Sequence, residues 1–342
     1  MELAFSQAYA NFRAWVPRNL LPIGHTNPNQ WLYYDWGPRS YPEPLICFHS
    51  LIGSAESFFN QLISLAPLGY RVLSVQIPTY WSVPEFCDAL HIFLETLSIR
   101  RAHFYGAGLG GFLALHYTAR RPERVASLLL THSFLATANL NLPIPYSPRV
   151  LKWLPDFLVR GTMRAILPKG RTTLQLANAA EFAIGHTMRC PRDVLASRLA
   201  LSINSSSVVD RIHVPGERIT LIDTLDRTTA ALQLSDDTAA ALPCSKRALL
   251  KRGADFPYLS VPDDVNVHLI VHLRRNAPKV NGPMPVPPPA RPRPLPPAIL
   301  RRRSEREKRN RRAVSREEIE NKAQLAFEER QSAGIDRFFK RD

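Results

Sequence analysis

The stretch Gly106-Ala107-Gly108-Leu109-Gly110-Gly111 lies between an apolar run that reads as a strand, Ala102–Tyr105, and an amphipathic run that reads as a helix, Phe112–Arg120. A strand, a glycine-bounded turn and a helix together form the setting of the G-x-S-x-G nucleophile elbow. In that motif the glycines let the turn close and the middle side chain projects above the sheet. The helix N-terminus behind it helps to stabilise an oxyanion. The middle position here is Gly108, which carries neither hydroxyl nor thiol and so no nucleophile. The rival chemistry is phosphate binding, since G-x-G-x-G-G after a strand is close to a dinucleotide turn. That fingerprint opens the first strand–helix unit of its fold and needs an acid about 20 positions later, at the end of the next strand. Two strand–helix units precede this turn, and the next strand ends on Thr131-His132. The elbow is the better fit.

Other polar residues sit at strand ends. His49-Ser50 follows the buried run Leu45–Phe48, and His132-Ser133 follows Val125–Leu130. Ser50 or Ser54 with His49 as base would be a substitute nucleophile, but a turn carrying polar residues explains the same pattern and carries more weight. His132 reads as pocket lining. The four cysteines, Cys47, Cys87, Cys190 and Cys244, form no C-x-x-C pair, so no zinc site is indicated and they read as reduced and mostly buried. No metal and no cofactor is expected.

These residues need a scaffold. Leu45–Phe48, Arg71–Gln76, Ala102–Tyr105, Val125–Leu130, Arg218–Ile222 and Arg247–Leu250 read as strands, separated by amphipathic stretches such as Ala55–Leu65, the run from Pro84 to Leu97, and Val261–Leu273. Strands alternating with helices imply an α/β fold with a mostly parallel sheet and right-handed crossovers. The rhythm breaks over residues 136–215, where helical fragments and prolines read as an inserted helical cap. The N-terminal run Met1–Arg13 has no apolar signal region, and no apolar run reaches the ~18 residues of a membrane span. A cytoplasmic location is expected, with peripheral membrane contact as the variant.

Composition is uneven along the 342 residues. The formal net charge of +15 would suggest nucleic acid as a partner. Residues 278–342 hold 17 Lys and Arg against nine Asp and Glu, a net of +8, which leaves only +7 for residues 1–277. Ten of the 30 prolines fall between Pro278 and Pro297. The reading is therefore a folded domain over 1–277, a proline-rich linker over 278–300 and a basic, charged, disordered tail over 301–342. Arg293-Pro294-Leu295-Pro296-Pro297 is similar to the R-x-L-P-P core that SH3 domains recognise, with a rigid spacer as the alternative. Arg301-Arg302-Arg303 and Lys308-Arg309-Asn310-Arg311-Arg312 could meet an acidic membrane surface, RNA or an import receptor, but a solvated charged tail explains them better. Interspersed glutamates and the lack of aromatics before Phe327 argue against nucleic acid. Tyr80 and Trp81 are candidates for a partner-binding face or for ordinary packing.

Several segments carry a specific resemblance: Tyr34-Asp35-Trp36-Gly37-Pro38-Arg39-Ser40, Gly69-Tyr70-Arg71-Val72, Tyr80-Trp81, Glu85-Phe86-Cys87-Asp88, the elbow Gly106–Phe112, Ala196-Ser197-Arg198-Leu199 and Phe256-Pro257-Tyr258-Leu259. From about Asn11 to Leu273 the chain resembles the maspardin family of the α/β-hydrolase superfamily. The proline-rich and basic tail lies outside that pattern. The resemblance implies an α/β-hydrolase fold with a helical cap, in which His49, Ser50 and Leu109 take the place of the oxyanion loop and His132 lines the pocket. It implies that Gly108 replaces a serine of the family's elbow. Asp226 matches the triad acid, with Asp223 second, and Asp255 stands where the triad histidine would be. Two of three triad roles are then empty, which implies a pseudoenzyme. It further implies an adaptor in endosomal or trans-Golgi trafficking or in negative regulation of receptor signalling, through a receptor cytoplasmic tail such as that of a T-cell co-receptor. The alternatives are a serine esterase with a non-standard nucleophile, or a protein governed by its tail.

Overall fold

The computed structural model describes residues 2–24, 29–137, 140, 142, 144–167, 173–203, 208, 212–279, 282–292, 294 and 296–297. Eight strands, β1 (Arg18–Ile23), β2 (Asn29–Trp36), β3 (Leu45–Phe48), β4 (Val72–Val75), β5 (Ala102–Ala107), β6 (Val125–Thr131), β7 (Ile219–Thr224) and β8 (Lys246–Leu250), form one sheet in the order β1-β2-β4-β3-β5-β6-β7-β8. β2 pairs antiparallel with β1 and with β4, and all other pairings are parallel. The antiparallel β1–β2 edge was not read from the sequence. Pro22 and Asn19 weaken the strand signal of β1, and proline is tolerated there because β1 is an edge strand.

The central strands are buried on both faces, and their side chains alternate between two cores as a period of two requires. Leu45 and Cys47 of β3 enter the core that includes Phe12, Phe59 and Leu269, while Ile46 and Phe48 enter the one that includes Phe86, Phe93 and Phe112. The first core belongs to α1 (Gln7–Trp15), α2 (Phe59–Leu65) and α11 (Pro262–Asn276). The second belongs to α3 (Val83–Thr96) and α4 (Leu109–Arg120). The stripe Phe86, Leu90, Phe93 and Leu94 of α3 is fully buried, and Ser82 caps that helix by accepting the Glu85 amide. The first turn of the run at Ala55–Leu65 is a 3-10 turn over Ala55–Phe58 before α2 begins.

Between β6 and β7 lies the helical insertion: α5 (Pro148–Leu151), α6 (Asp156–Ala165), α7 (Leu174–Met188) and α8 (Arg192–Ile203). After β7 come α9 (Thr229–Ala241) and α10 (Pro257–Ser260). Among the described residues no helix is long and apolar enough to cross a membrane. All four cysteines are free: Cys47 and Cys87 are buried, Cys190 is half-buried and Cys244 is exposed.

Residues 2–293 form one compact unit. It includes most of the proline-rich segment, which runs along the domain: the Tyr41 hydroxyl donates to Pro278 O at 2.8 Å and the Met284 amide to Pro67 O at 3.0 Å. Further on, Trp15 Nε1 donates to Pro288 O at 3.1 Å and the Ala290 amide to Asn11 Oδ1 at 2.8 Å.

Candidate functional site

The sheet order places β3 and β5 side by side, with β4 beyond β3. At such a switch point the loops leaving neighbouring strands diverge and leave a crevice at the carboxyl ends. Phe48 pairs with Gly106, so the loop starting at His49 meets the turn at Gly108. Gly108 has φ 49° and ψ −115°, a region that side-chain-bearing residues enter only with strain. Its amide donates to Thr131 O at 2.9 Å. A Cβ on Gly108 would lie 3.2 Å from Ser50 Cβ, whereas one on Gly110 would lie 2.3 Å from Phe48 O. Gly110 is therefore required by the close approach of α4 to β3. No side chain caps α4, so the amides of its first turn, Leu109 among them, open toward the crevice as an anion-favouring end.

His49 is buried and neutral. Its Nδ1 donates to Ser50 O at 2.7 Å and its Nε2 accepts the Ile77 amide at 3.1 Å. Burial, aided by the Arg198 guanidinium, pushes its pKa well below the ordinary histidine value. Both ring nitrogens are thus engaged with backbone, and neither is turned to the Ser50 hydroxyl. That hydroxyl donates to Ile52 O at 2.6 Å. Arg198, from α8, is fully buried. Its Nη1 donates to Gly53 O at 3.0 Å and its Nη2 to His49 Nε2 at 3.3 Å. Thr187 of α7 reinforces the same loop by accepting the Gly53 amide at 2.7 Å.

Asp226 follows β7, as expected for the acid position. Its two oxygens accept the amides of Gly253 and Ala254, both at 2.9 Å, so it holds the turn after β8. Asp223 is buried, accepts from Ser235 Oγ at 3.0 Å, and has its pKa raised by that burial. Asp255 pairs with Arg227 Nε at 3.1 Å. His132, with φ 49°, is buried beside them. Thr224 Oγ1 donates to Ala254 O at 3.0 Å and so accepts from His132 Nε2 at 3.1 Å, which assigns the proton to Nε2. Burial and the nearby Arg227 lower the His132 pKa well below its ordinary value. Ser50, Gly108, Leu109, His132, Arg227 and Asp255 all line one cavity of about 260 Å³, closed by apolar residues such as Phe134 and Ile166. The predicted elbow, oxyanion loop and two of the triad positions therefore converge. Asp226 stands behind them as a turn former.

A profile of the α/β hydrolase fold matches residues 43–167. Maspardin from Danio rerio is 32% identical over 276 residues, covering 80% of this chain and 88% of that protein. Maspardin from Homo sapiens is likewise 32% identical, over 275 residues. The chain belongs to the maspardin family. Among solved structures, a thermophilic esterase from Thermogutta terrifontis superposes with a TM-score of 0.63 at 15% identity, over 77% of this chain and all of that one. A carboxylesterase structure from Nitrososphaera gargenis gives 0.58 at 17%. These two show the shared fold alone.

Other candidate positions in this maspardin-family chain fall differently. Tyr80 is buried and accepts Trp31 Nε1 at 2.9 Å, so it belongs to the core and is withdrawn as a partner-binding residue. Trp81 is half-buried, with Lys152 Nζ 5.7 Å from its ring centroid. Arg293 and Leu295 of the SH3-like motif lie outside the described residues, while Pro294, Pro296 and Pro297 are described as exposed. Among the described residues no group of three or more His, Cys, Asp and Glu is placed to hold a metal ion. Sequence reading missed Arg227 and the clamp made by Arg198. Arg198 lies in the Ala-Ser-Arg-Leu segment of the family resemblance, but only packing shows that its guanidinium turns inward.

Proposed function

We propose that the protein is a non-catalytic member of the maspardin family that works by binding other proteins. The single observation that carries this reading is Gly108: the residue at the strand-to-helix turn, with the strained backbone of an elbow, has no side chain. Two features support it. His49 and the Ser50 hydroxyl are tied to backbone groups, and Asp255, at the position that the family resemblance gives to the triad histidine, is in an ion pair with Arg227. The setting we propose is endosomal or trans-Golgi trafficking, or negative regulation of receptor signalling through a receptor's cytoplasmic tail. The proline-rich motif at Arg293–Pro297 would add an SH3-type partner, and the tail an acidic membrane surface. No nucleic-acid role is proposed.

A fluorophosphonate probe on the folded full chain tests the loss of catalysis. No serine labelled above the denatured control is expected. Stoichiometric labelling that disappears in Ser50→Ala would establish a serine hydrolase instead. Proximity labelling with the full chain and with a form lacking residues 298–342 then separates partners of the domain from partners of the tail.

A further inference from the structure

A second cavity, of about 600 Å³, opens between α1, the edge of the sheet and the end of α7, away from the elbow. It is lined by Arg13, Arg18, Arg189 and Arg291, with His186 and one carboxylate, Glu56. That carboxylate is already taken. Glu56 Oε1 accepts the Tyr34 hydroxyl at 2.7 Å and Arg13 Nη1 at 3.1 Å, and Oε2 accepts the Tyr9 hydroxyl. Arg18, Arg189 and Arg291 form no ion pair with any described carboxylate. His186 adds no charge at neutral pH, because burial and the neighbouring arginines lower its pKa. Three uncompensated guanidinium groups therefore surround one concave site.

The fourth wall is built by the proline-rich segment. Trp15 Nε1 on Pro288 O, Asn11 on the Ala290 amide, and Gln7 on Ala290 O fix the backbone immediately before Arg291. A trio of hydrogen bonds from one face of α1 holds this strand of chain and carries a charge to a pocket that already lacks counter-ions. Planar guanidinium forks from three directions match the oxygens of phosphate groups, and several forks match several phosphates. In the sequence the basic run Arg301-Arg302-Arg303 begins ten residues later.

We propose that this pocket binds a multiply phosphorylated inositol headgroup, either free or carried by a membrane lipid, with Arg18, Arg189 and Arg291 as its ligands. The proposal does not depend on the fate of the elbow. The test uses the full chain. Titration with inositol 1,4,5-trisphosphate by calorimetry should show binding that weakens steeply with added salt. Arg189→Gln and Arg291→Gln should each weaken it about fivefold, the effect of one basic residue beside anionic lipid. Asn11→Ala removes no charge, yet it should weaken binding to the same extent as Arg291→Gln by freeing the segment. Flotation with phosphatidylcholine vesicles containing 5% of the matching bisphosphorylated lipid assigns the source. Co-flotation lost in the arginine variants makes the ligand lipid-borne, and titration without flotation makes it a free inositol phosphate. The proposal is overturned if neither probe binds. It is also overturned if binding survives both arginine substitutions and falls only when Arg301, Arg302 and Arg303 are replaced by glutamine. Arg189 and Arg291 are exposed and Asn11 is half-buried, so circular dichroism spectra of these variants should match the unsubstituted chain.

Discussion

Gly108→Ser restores the hydroxyl that the elbow lacks, and its outcome separates backbone cost from chemistry. The residue sits at φ 49° and ψ −115°, where a Cβ brings strain of about 1–3 kcal/mol. The new Cβ also meets Ser50 Cβ at 3.2 Å, a contact that a small shift of the loop relieves. At about 2–4 °C per kcal/mol for a domain of this size, the melting temperature should drop by roughly 2–12 °C. Gly108→Ala carries the same Cβ and should drop by the same amount. Differential scanning calorimetry checks both. Reactivity is a separate matter. The new serine would lie beside Ser50, whose hydroxyl already donates to Ile52 O, while both nitrogens of His49 are engaged and Asp255, on the same cavity wall, is paired with Arg227. Fluorophosphonate labelling of Gly108→Ser should therefore stay near that of Gly108→Ala. A serine variant that melts no lower than the unsubstituted chain would refute the backbone argument. Rapid labelling confined to the serine variant would show that a base, His132 being the candidate, is within reach, and would refute the argument that the machinery is gone.

Further predictions follow from packing and charge. Gly110→Ala puts a Cβ 2.3 Å from Phe48 O and should cost more than about 3 kcal/mol, whereas Gly161→Ala, with nothing within 4 Å, should gain about 0.5–1 kcal/mol. Urea denaturation of the pair checks the contrast. Arg71→Met breaks a two-pronged pair in which Nη2 lies 2.8 Å from Asp35 Oδ2 with both groups buried, and should cost about 3–5 kcal/mol by the same assay. His272 is held neutral between Thr220 and Ser127 at 2.7 and 2.6 Å, its pKa lowered to about 3 chiefly by burial. A folded-state value below the unfolded value of about 6.5 means that its contribution is complete above that pH and is lost as pH falls toward 3. Stability should fall across that window with a slope of at most about 1.4 kcal/mol per pH unit from this residue, and His272→Gln should flatten the slope.

The elbow and the central sheet were legible because their signals are local. Short apolar runs bounded by glycines mark strands buried on both faces, and the glycine turn can occur only at one kind of junction. The edge strands β1 and β2 gave no such signal, since an edge tolerates Pro22 and mixes exposed with buried positions. The roles of the polar residues were not legible for a different reason. His49 and Ser50 have the types of a catalytic pair, but their hydrogen-bond partners, Ile77 and Ile52, are backbone groups that any residue supplies. Tyr80 looked like an anchor for a partner and is instead the acceptor for a buried indole. Arg227 and Arg198 gave no signal, because a guanidinium declares its role only through what surrounds it.

The buried Arg198 has a mechanical consequence. Among the described residues its guanidinium has no carboxylate partner, and its hydrogen bonds run from α8 of the cap to the carbonyl of Gly53 and the ring of His49. Sliding α8 away would uncover an arginine and leave those acceptors unmet at once, so small displacements of the cap are resisted and large ones are all-or-none. A displacement of the cap would therefore be felt in the loop from His49 to Gly53, whose Ser50, Leu51 and Ile52 line the cavity. The cap and the loop after β3 are thus tied together through one buried side chain.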